Sequence, residues 1–409
     1  MASNHPGADE SSGLEPITNP VRSRADWERQ RAAARADPGA FHGDLAKREI
    51  HWFVASAGTR GAWLTFEQEL ALWTGWDALS AAPVTANLGA NFEPWQRAFS
   101  GDDPPHWKWF EGGRTNACFN EVDRHVLAGF GLEPAFIFEG DRWDMSKDSG
   151  RGAPVDSHFI SRKSLLLETA KCALALQALG LKAGDRIALN LPNIPAQLYW
   201  TEGAKRLGVI YTPVFGGFSE KTLSDRIHDA GAQVVVTADG GFRNAQIVPF
   251  KTAYTDPALD NFVPVAHVHA AIAQRLATLG LREDDARQVL STVNDTLAGE
   301  VTVERSDAMR GVGRALRELG RAGRLNAAEA SRVRTAVAEA LVATPPRVRN
   351  VVVVRHTAQA DLVWRAERDV WSHELTDAAG GVLLQAARAA GFDVADEAGL
   401  LALPRRRSL

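Results

Sequence analysis

Between residues 161 and 238, short apolar runs alternate with stretches of helical spacing, and turn residues punctuate each change. Ser164 reads as the cap of a helix through Leu165, Leu167, Ala170, Leu174 and Leu179, stopped by Gly180. Asp185 precedes a strand over Arg186 to Leu191. Pro195 opens a second helix, which runs to Leu207 and ends at Gly208. A strand from Val209 to Val214 meets Gly216-Gly217, and Ser219 then caps a helix to Ala230, ended by Gly231. The third strand spans Gln233 to Ala238. Strands spaced by one helix and two short loops specify successive βαβ units and hence a parallel sheet. Ligands of such sheets lie at the C-terminal strand ends, where the Gly-Gly pairs 216-217 and 240-241 both fall.

The chain of 409 residues is 45% hydrophobic and 23% charged, which fits a globular protein of about two or three domains. At a net charge of −4, nothing in the composition suggests a general binder of nucleic acid. The two cysteines, Cys118 and Cys172, give neither a disulfide framework nor a CxxC metal spacing. The start, MASNHPGADESSGLEP, lacks a signal-peptide pattern, and no uncharged apolar run reaches membrane-spanning length. The final RRRSL differs from the peroxisomal Ser-Lys-Leu ending at the lysine. The expectation is a cytoplasmic protein without membrane or nucleic-acid partners. Nine lysines occur up to Lys251 and none after it.

Residues 1–22 read as a disordered leader rich in Ser, Pro, Gly and Asn. Residues 24–49 read as helical, interrupted at Pro38-Gly39. Trp52, Trp63, Trp73, Trp76, Trp95, Trp107 and Trp109 mark an arm whose rings anchor it to a core; basic residues do not interleave with them, which argues against stacking on nucleic acid. Residues 266–343 turn Ala-, Leu- and Arg-rich. Val289, Leu290, Val293 and Leu297 form one helical stripe; Val312, Ala315, Leu316 and Leu319 form another. Asn326 with Glu329 fits a capping box before a further helix. Pro345-Pro346 closes this small bundle, the run 351–354 returns to strand, and 376–403 reads as helix.

Several sites fail on chemistry. VFGGFS has one hydroxyl and no lysine, so it is not a Walker loop. GVGRAL at 311–316 lacks the third glycine of a dinucleotide fingerprint and sits in helical sequence, which counts against a dehydrogenase. His267 and His269 have no further ligands nearby and read as ordinary residues at a helix start. Cys118 and His125, seven residues apart on one helix, are separated by a rise of about 10 Å, too far for a nucleophile pair. Asp123 and Arg124 read as structural ties between the arm and the α/β body.

Three segments carry a family resemblance. KWFEGGRTNACFNEVDRH (108–125), GDRIALNLPNIPAQLYWTEGAKRLGVIYTPVFGGFSEKTLSDRIHDAGAQVVVTADGG (184–241) and VRNVVVVRHTAQADLVWRAERDVWSHEL (348–375) resemble, in order, AMP-forming acetyl-CoA and propionyl-CoA synthetases. The long arm and helical block resemble the ligase part of fused propionyl-CoA synthases. The resemblance implies the adenylate-forming fold: α/β, here a partial doubly wound parallel sheet with a Trp-rich N-terminal arm and an inserted helical block. It divides the chain into a leader (1–22), a synthetase-like N-terminal segment (23–125), a partial AMP-binding α/β domain (126–265), a helical insertion (266–346) and a return to the α/β domain (347–409).

The implied reaction joins a short acid such as acetate, propionate or 3-hydroxypropionate to CoA, with ATP and magnesium in the full-length family and an acyl-adenylate between two half-reactions. By position, the resemblance assigns Phe215, Gly216, Gly217 and Arg243 to the CoA nucleotide; a second expected arginine is Gln246 here. No catalytic or metal-binding residue is assigned. The family's phosphate loop, adenine motif, hinge acid and C-terminal lysine do not occur. The expectation is a truncated synthetase, inactive alone, whose cut sheet leaves an open edge and uncovered apolar faces. The alternative is a non-catalytic assembly module, or half of a split synthetase whose other part is a separate chain.

Overall fold

The computed structural model describes residues 21–50, 52, 95–113, 115–244, 246–343, 348–389 and 393–402. The proposed leader up to residue 20, Trp63, Trp73, Trp76, Pro345-Pro346 and the final RRRSL lie outside the described residues. Two compact units divide at Thr115–Asn116.

The first unit contains α1 (Arg24–Ala36), α2 (Pro38–Glu49), β1 (Arg97–Ser100) and β2 (Lys108–Glu111). The break between the helices falls at Asp37, whose backbone is extended and whose carboxylate accepts from the Ala40 amide at 2.8 Å. Strands β1 and β2 pair antiparallel. Trp52, Trp95 and Phe110 pack ring against ring, and the Trp52 indole donates to the Ala46 carbonyl at 2.9 Å. Trp107 is largely exposed, whereas Trp109 packs against the Phe99 and His42 rings.

The second unit is built on a five-stranded parallel sheet. A hairpin of β3 (Pro134–Glu139) and β4 (Ser157–Ser161) leads into α3 (Arg162–Ala178). Then come β5 (Arg186–Asn190), α4 (Pro195–Leu207), β6 (Ile210–Pro213), α5 (Glu220–Ala230) and β7 (Val234–Ala238). A short hairpin of β8 (Gly241–Arg243) and β9 (Gln246–Val248) follows. Beyond the helical block lie β12 (Asn350–Val354), β13 (Asp369–Trp371), α10 (Ser372–Ala389) and α11 (Glu397–Ala402). The sheet order is β13-β12-β7-β5-β6.

Alternation along these strands feeds two cores. Ile187, Leu189, Val234, Val236 and Val352 face α3 and α4, where they meet Leu176, Trp200 and Ala204. Ala188, Val235, Val351 and Val353 face the other way, toward Leu223, Ile227, Ala258 and Leu259. Both faces are therefore covered, which corrects the expectation of bare apolar faces. Residues distant in sequence complete the cover: α10 packs on α3 and β12. The edges are blunted by brevity, with β13 of three residues and β6 of four.

Most local signals act where the sequence puts them. Gly208 and Gly231 end their helices in the left-handed region, and Ser219 caps α5 by accepting from the Thr222 amide. The cap of α3 is Ser161 rather than Ser164: its hydroxyl accepts from the Ser164 amide at 3.1 Å. Ser161 sits in extended backbone at the end of β4, as a cap requires, whereas Ser164 is already helical.

The helical block consists of α6 (Val265–Thr278), α7 (Glu283–Leu297), α8 (Arg305–Arg321) and α9 (Ala327–Ala343). Each packs on two others around a core of its own, including Ile272, Val293, Val312 and Val337. Asn326 and Glu329 exchange both bonds of the capping box, at 2.8 and 2.9 Å. His267 and His269 lie in the first turns of α6, and GVGRAL lies within α8. A two-stranded ribbon of β10 (Phe262–Pro264) and β11 (Thr302–Glu304) leads into α6 and α8. Asp225 on α5 holds this ribbon by accepting from the Thr302 amide and hydroxyl at 3.0 and 2.6 Å.

The NACFNEVDRH segment, read as a tie to the arm, belongs to the second unit and bonds within it. Asp123 is fully buried and pairs with Arg206 of α4 at 2.7 and 2.8 Å. Asn116 caps the end of α4 by donating to the Lys205 and Arg206 carbonyls. Arg124, read as part of that tie, donates to Asn120 within its own segment. Cys118 faces Asp123 and Arg206, and its burial, with Asp123 adding to it, pushes the thiol well above its ordinary range. Replacing Asp123 by alanine strands the Arg206 charge in the interior. We expect a loss of about 3–5 kcal/mol, read from the urea unfolding midpoint.

Candidate functional site

Strand order reverses at β5: the chain steps outward to β6, then crosses back to β7 on the other side. Connections leaving β5 and β7 therefore diverge and open a crevice at the C-terminal edge of the sheet. A cleft of about 730 Å³ occupies this place, lined in part by Leu191 to Ile194 after β5, Val214 to Gly217 after β6, and Phe242 to Asn244 after β7. Phe215, Gly216, Gly217 and Arg243 all lie along this one cleft. Gln246, opposite Arg243 in the β8–β9 hairpin, is not part of the lining.

The glycines are required by space, since neither Gly216 nor Gly217 adopts a positive φ. A Cβ on Gly216 would run into the Phe250 ring. One on Gly217 would lie 2.6 Å from the Phe215 ring and 3.1 Å from an Arg243 guanidinium nitrogen. Gly241 is under the same constraint, with Pro192 and Phe250 at 2.8 and 2.9 Å. Backbone thus forms the cleft floor, and the Gly216 and Gly217 amides donate to no described group. Bare amides beside a guanidinium suit an anionic oxygen such as a phosphate. Phe215 is 64% exposed and meets Phe218 edge to face, so an apolar ring stands at the same mouth.

Asp239 fixes the opposite wall, and sequence reading alone passes over it. Its carboxylate accepts from the amides of Gly240, His356, Thr357 and Gln359, at 2.7, 2.8, 3.0 and 3.2 Å. Burial raises its pKa, but those amides together outweigh burial and hold it below the usual carboxylate value. The loop after β12 is thereby fastened over the end of β7, and His356 joins the lining. Burial is the largest influence on His356 and lowers its pKa; Asp239 and Asp156 oppose this, and Arg142 adds to it. The imidazole is therefore neutral at pH 7. Its ring meets Phe242 edge to face at 5.7 Å.

Among the described residues there is no group of three or more side chains suited to hold a metal ion. Both cysteine thiols are buried and raised well above their ordinary range, hence unreactive. Lys251 is fully buried and bonded to Asp256, Asp369 and the Val363 carbonyl.

Two family models match parts of the chain. Residues 142–308 match the AMP-binding enzyme family, and residues 89–120 match the acetyl-coenzyme A synthetase N-terminus. These matched segments resemble, in order, the N-terminal part of an acetyl-CoA synthetase-like, adenylate-forming enzyme. Similar relatives are described as acetyl-coenzyme A synthetase. That of Rhodopirellula baltica is 31% identical over 59% of this chain and 29% of its own length. That of Mycobacterium bovis is 38% identical over 49% of this chain and 29% of its own. That of Streptomyces avermitilis is 41% identical over 38% of this chain and 22% of its own. The chain thus spans less than a third of the length of these relatives. No helix among the described residues of the synthetase-like chain is long and apolar enough to cross a membrane.

Two predictions follow from the wall of the cleft. In Asp239→Asn, whichever way the amide turns, its NH2 faces at least one backbone N–H. We expect a loss of about 1.5–3 kcal/mol and faster hydrogen exchange at His356, Thr357 and Gln359. His356 has a folded pKa below its unfolded value of about 6.5, so its contribution to stability is present above that value. It is lost as pH falls through the folded pKa. Unfolding midpoints between pH 7 and 5 should decline, and His356→Gln should flatten that part of the profile.

Proposed function

We propose that this chain forms the CoA-binding part of a short-chain acyl-CoA synthetase. The overall reaction joins a small carboxylic acid, ATP and CoA into acyl-CoA, AMP and pyrophosphate, with acetate, propionate and 3-hydroxypropionate as candidate acids. One observation carries the reading: Phe215, Gly216, Gly217 and Arg243 converge on a single cleft at the switch point of the sheet. Bare amides and a guanidinium there suit the phosphates of CoA, and aromatic rings suit its base.

On this reading the 409 residues do not form acyl-adenylate by themselves. Stabilising charge on the α-phosphate requires cations and donors at the reacting centre. The family's lysine-bearing phosphate loop is absent from this sequence. Its last lysine, Lys251, is committed to Asp256 and Asp369 inside the fold. ATP and magnesium belong to the complete reaction and to residues outside those matched here.

A second reading, half of a split synthetase, is favoured by the β3–β4 hairpin. Ile137 and Phe159 pair across it and remain 70% and 53% exposed, an apolar face suited to a partner chain.

Calorimetric titration with CoA tests the binding reading, and acid-dependent ATP–pyrophosphate exchange tests the catalytic one. We expect CoA to bind with an affinity that Arg243→Gln weakens about tenfold, the scale of one charge-assisted contact. We expect exchange at background level for acetate and propionate. Absence of CoA binding, or clear exchange turnover, overturns the respective statement.

A further inference from the structure

We propose that a pocket at the opposite edge of the sheet from the cleft binds a small carboxylic acid as its monoanion, with Arg305 holding the carboxylate. The pocket has a volume of about 380 Å³. Arg349 and Arg368, both in its lining, immediately precede the parallel strands β12 and β13. The pocket therefore lies at the N-terminal strand edge, whereas the cleft lies at the C-terminal one. Its back is apolar: Leu259, with Phe262 and Val263 of β10, lines it and is otherwise buried. Arg305 opens α8, so the helical block supplies one wall and the sheet layer the other. Apolar walls with a few placed polar groups are the usual make-up of a small-molecule site.

Charge selects the ligand. Asp260 is shared by three guanidiniums of the lining. Its carboxylate takes Arg365 through both terminal nitrogens and Arg368 at 3.5 Å, while its carbonyl accepts from Arg305. Arg368 also pairs with Asp256 and Asp369, and Lys251 pairs with the same two. Lys251, Arg305, Arg365 and Arg368 thus bring four positive charges to three carboxylates. The uncompensated charge is that of Arg305. It pairs with no carboxylate among the described residues, and its Nε is enclosed without a hydrogen-bond partner. Arg349 is engaged elsewhere, donating to the Gln233 side-chain carbonyl at 2.7 Å. A planar guanidinium with spare donors matches a carboxylate. One excess charge calls for a monoanion. A phosphate dianion would add a second negative charge beside Asp260 and the exposed Glu367, which also lines the pocket. It would also leave the apolar back without a partner. An acid with an apolar body satisfies both the charge and the walls.

The test is calorimetric titration of the full chain with benzoate, with benzamide as its uncharged isostere and inorganic phosphate as an anion without an apolar body. We expect benzoate to bind with a dissociation constant of about 1 mM, the scale of so small a ligand. The other two should bind at least about tenfold more weakly. Arg305→Gln removes the charge and should weaken benzoate about tenfold. Glu367 is exposed and makes no ion pair among the described residues, so Glu367→Gln should fold as the parent does. It removes a repelling carboxylate and should tighten benzoate about twofold to fivefold. This second variant decides the matter if Arg305→Gln does not fold. Benzoate binding no tighter than benzamide or phosphate overturns the inference. So does parental affinity in folded Arg305→Gln, or equal or weaker affinity in Glu367→Gln. Loss of benzoate binding in Arg243→Gln would put the acid in the cleft and overturns it too.

Discussion

The reversal of strand order at β5 is the constraint on which the site depends. Had β7 followed β6 outward, the loops after β5, β6 and β7 would lie side by side. Because the chain crosses back, the connections after β5 and β7 part and leave a crevice between them. Much of what shapes the cleft is fastened to those strand ends. Backbone at Gly216 and Gly241 approaches the Phe250 ring from two sides, and Phe250 is itself buried in the core beneath α3 and α4. The floor of the cleft is thus continuous with the hydrophobic core.

A single buried carboxylate does comparable work on the other wall. Asp239 ends the central strand and gathers amides from a loop more than a hundred residues away in sequence. The helical block and β12 occupy the chain between these partners, yet the block keeps its own core and joins the sheet layer through Asp225 and the β10–β11 ribbon. An independent core explains how about eighty residues fit here while β12 still pairs with β7 in register.

Local chemistry was legible in the sequence wherever a short-range signal decides the outcome. The αL glycines at 208 and 231, the Ser219 cap and the Asn326–Glu329 box need only neighbouring residues, and each lies where its pattern predicts. The misreading of Ser164 for Ser161 is a three-residue slip between two serines whose hydroxyls touch at 2.8 Å. The four residues assigned to the nucleotide converge because three are consecutive after β6 and the fourth follows β7, on the other side of β5. What stayed hidden depends on long-range pairing. Asp239 looks like an ordinary loop acid, and the partner of Asp123 is 83 residues away. The second cover of the sheet by α10 was hidden for the same reason.

The distribution of amines has a practical meaning. After Lys251 every basic side chain other than histidine is an arginine, so the four-helix block carries no primary amine at all. Reagents that acylate amines leave the block unmarked and report only on the preceding part of the chain. The last amine is the most informative, because Lys251 is enclosed by Asp256 and by Asp369 of β13. It stays shielded while β13 remains paired to β12 and becomes nucleophilic once that edge strand leaves. One side chain therefore records whether the outer edge of the sheet is in place.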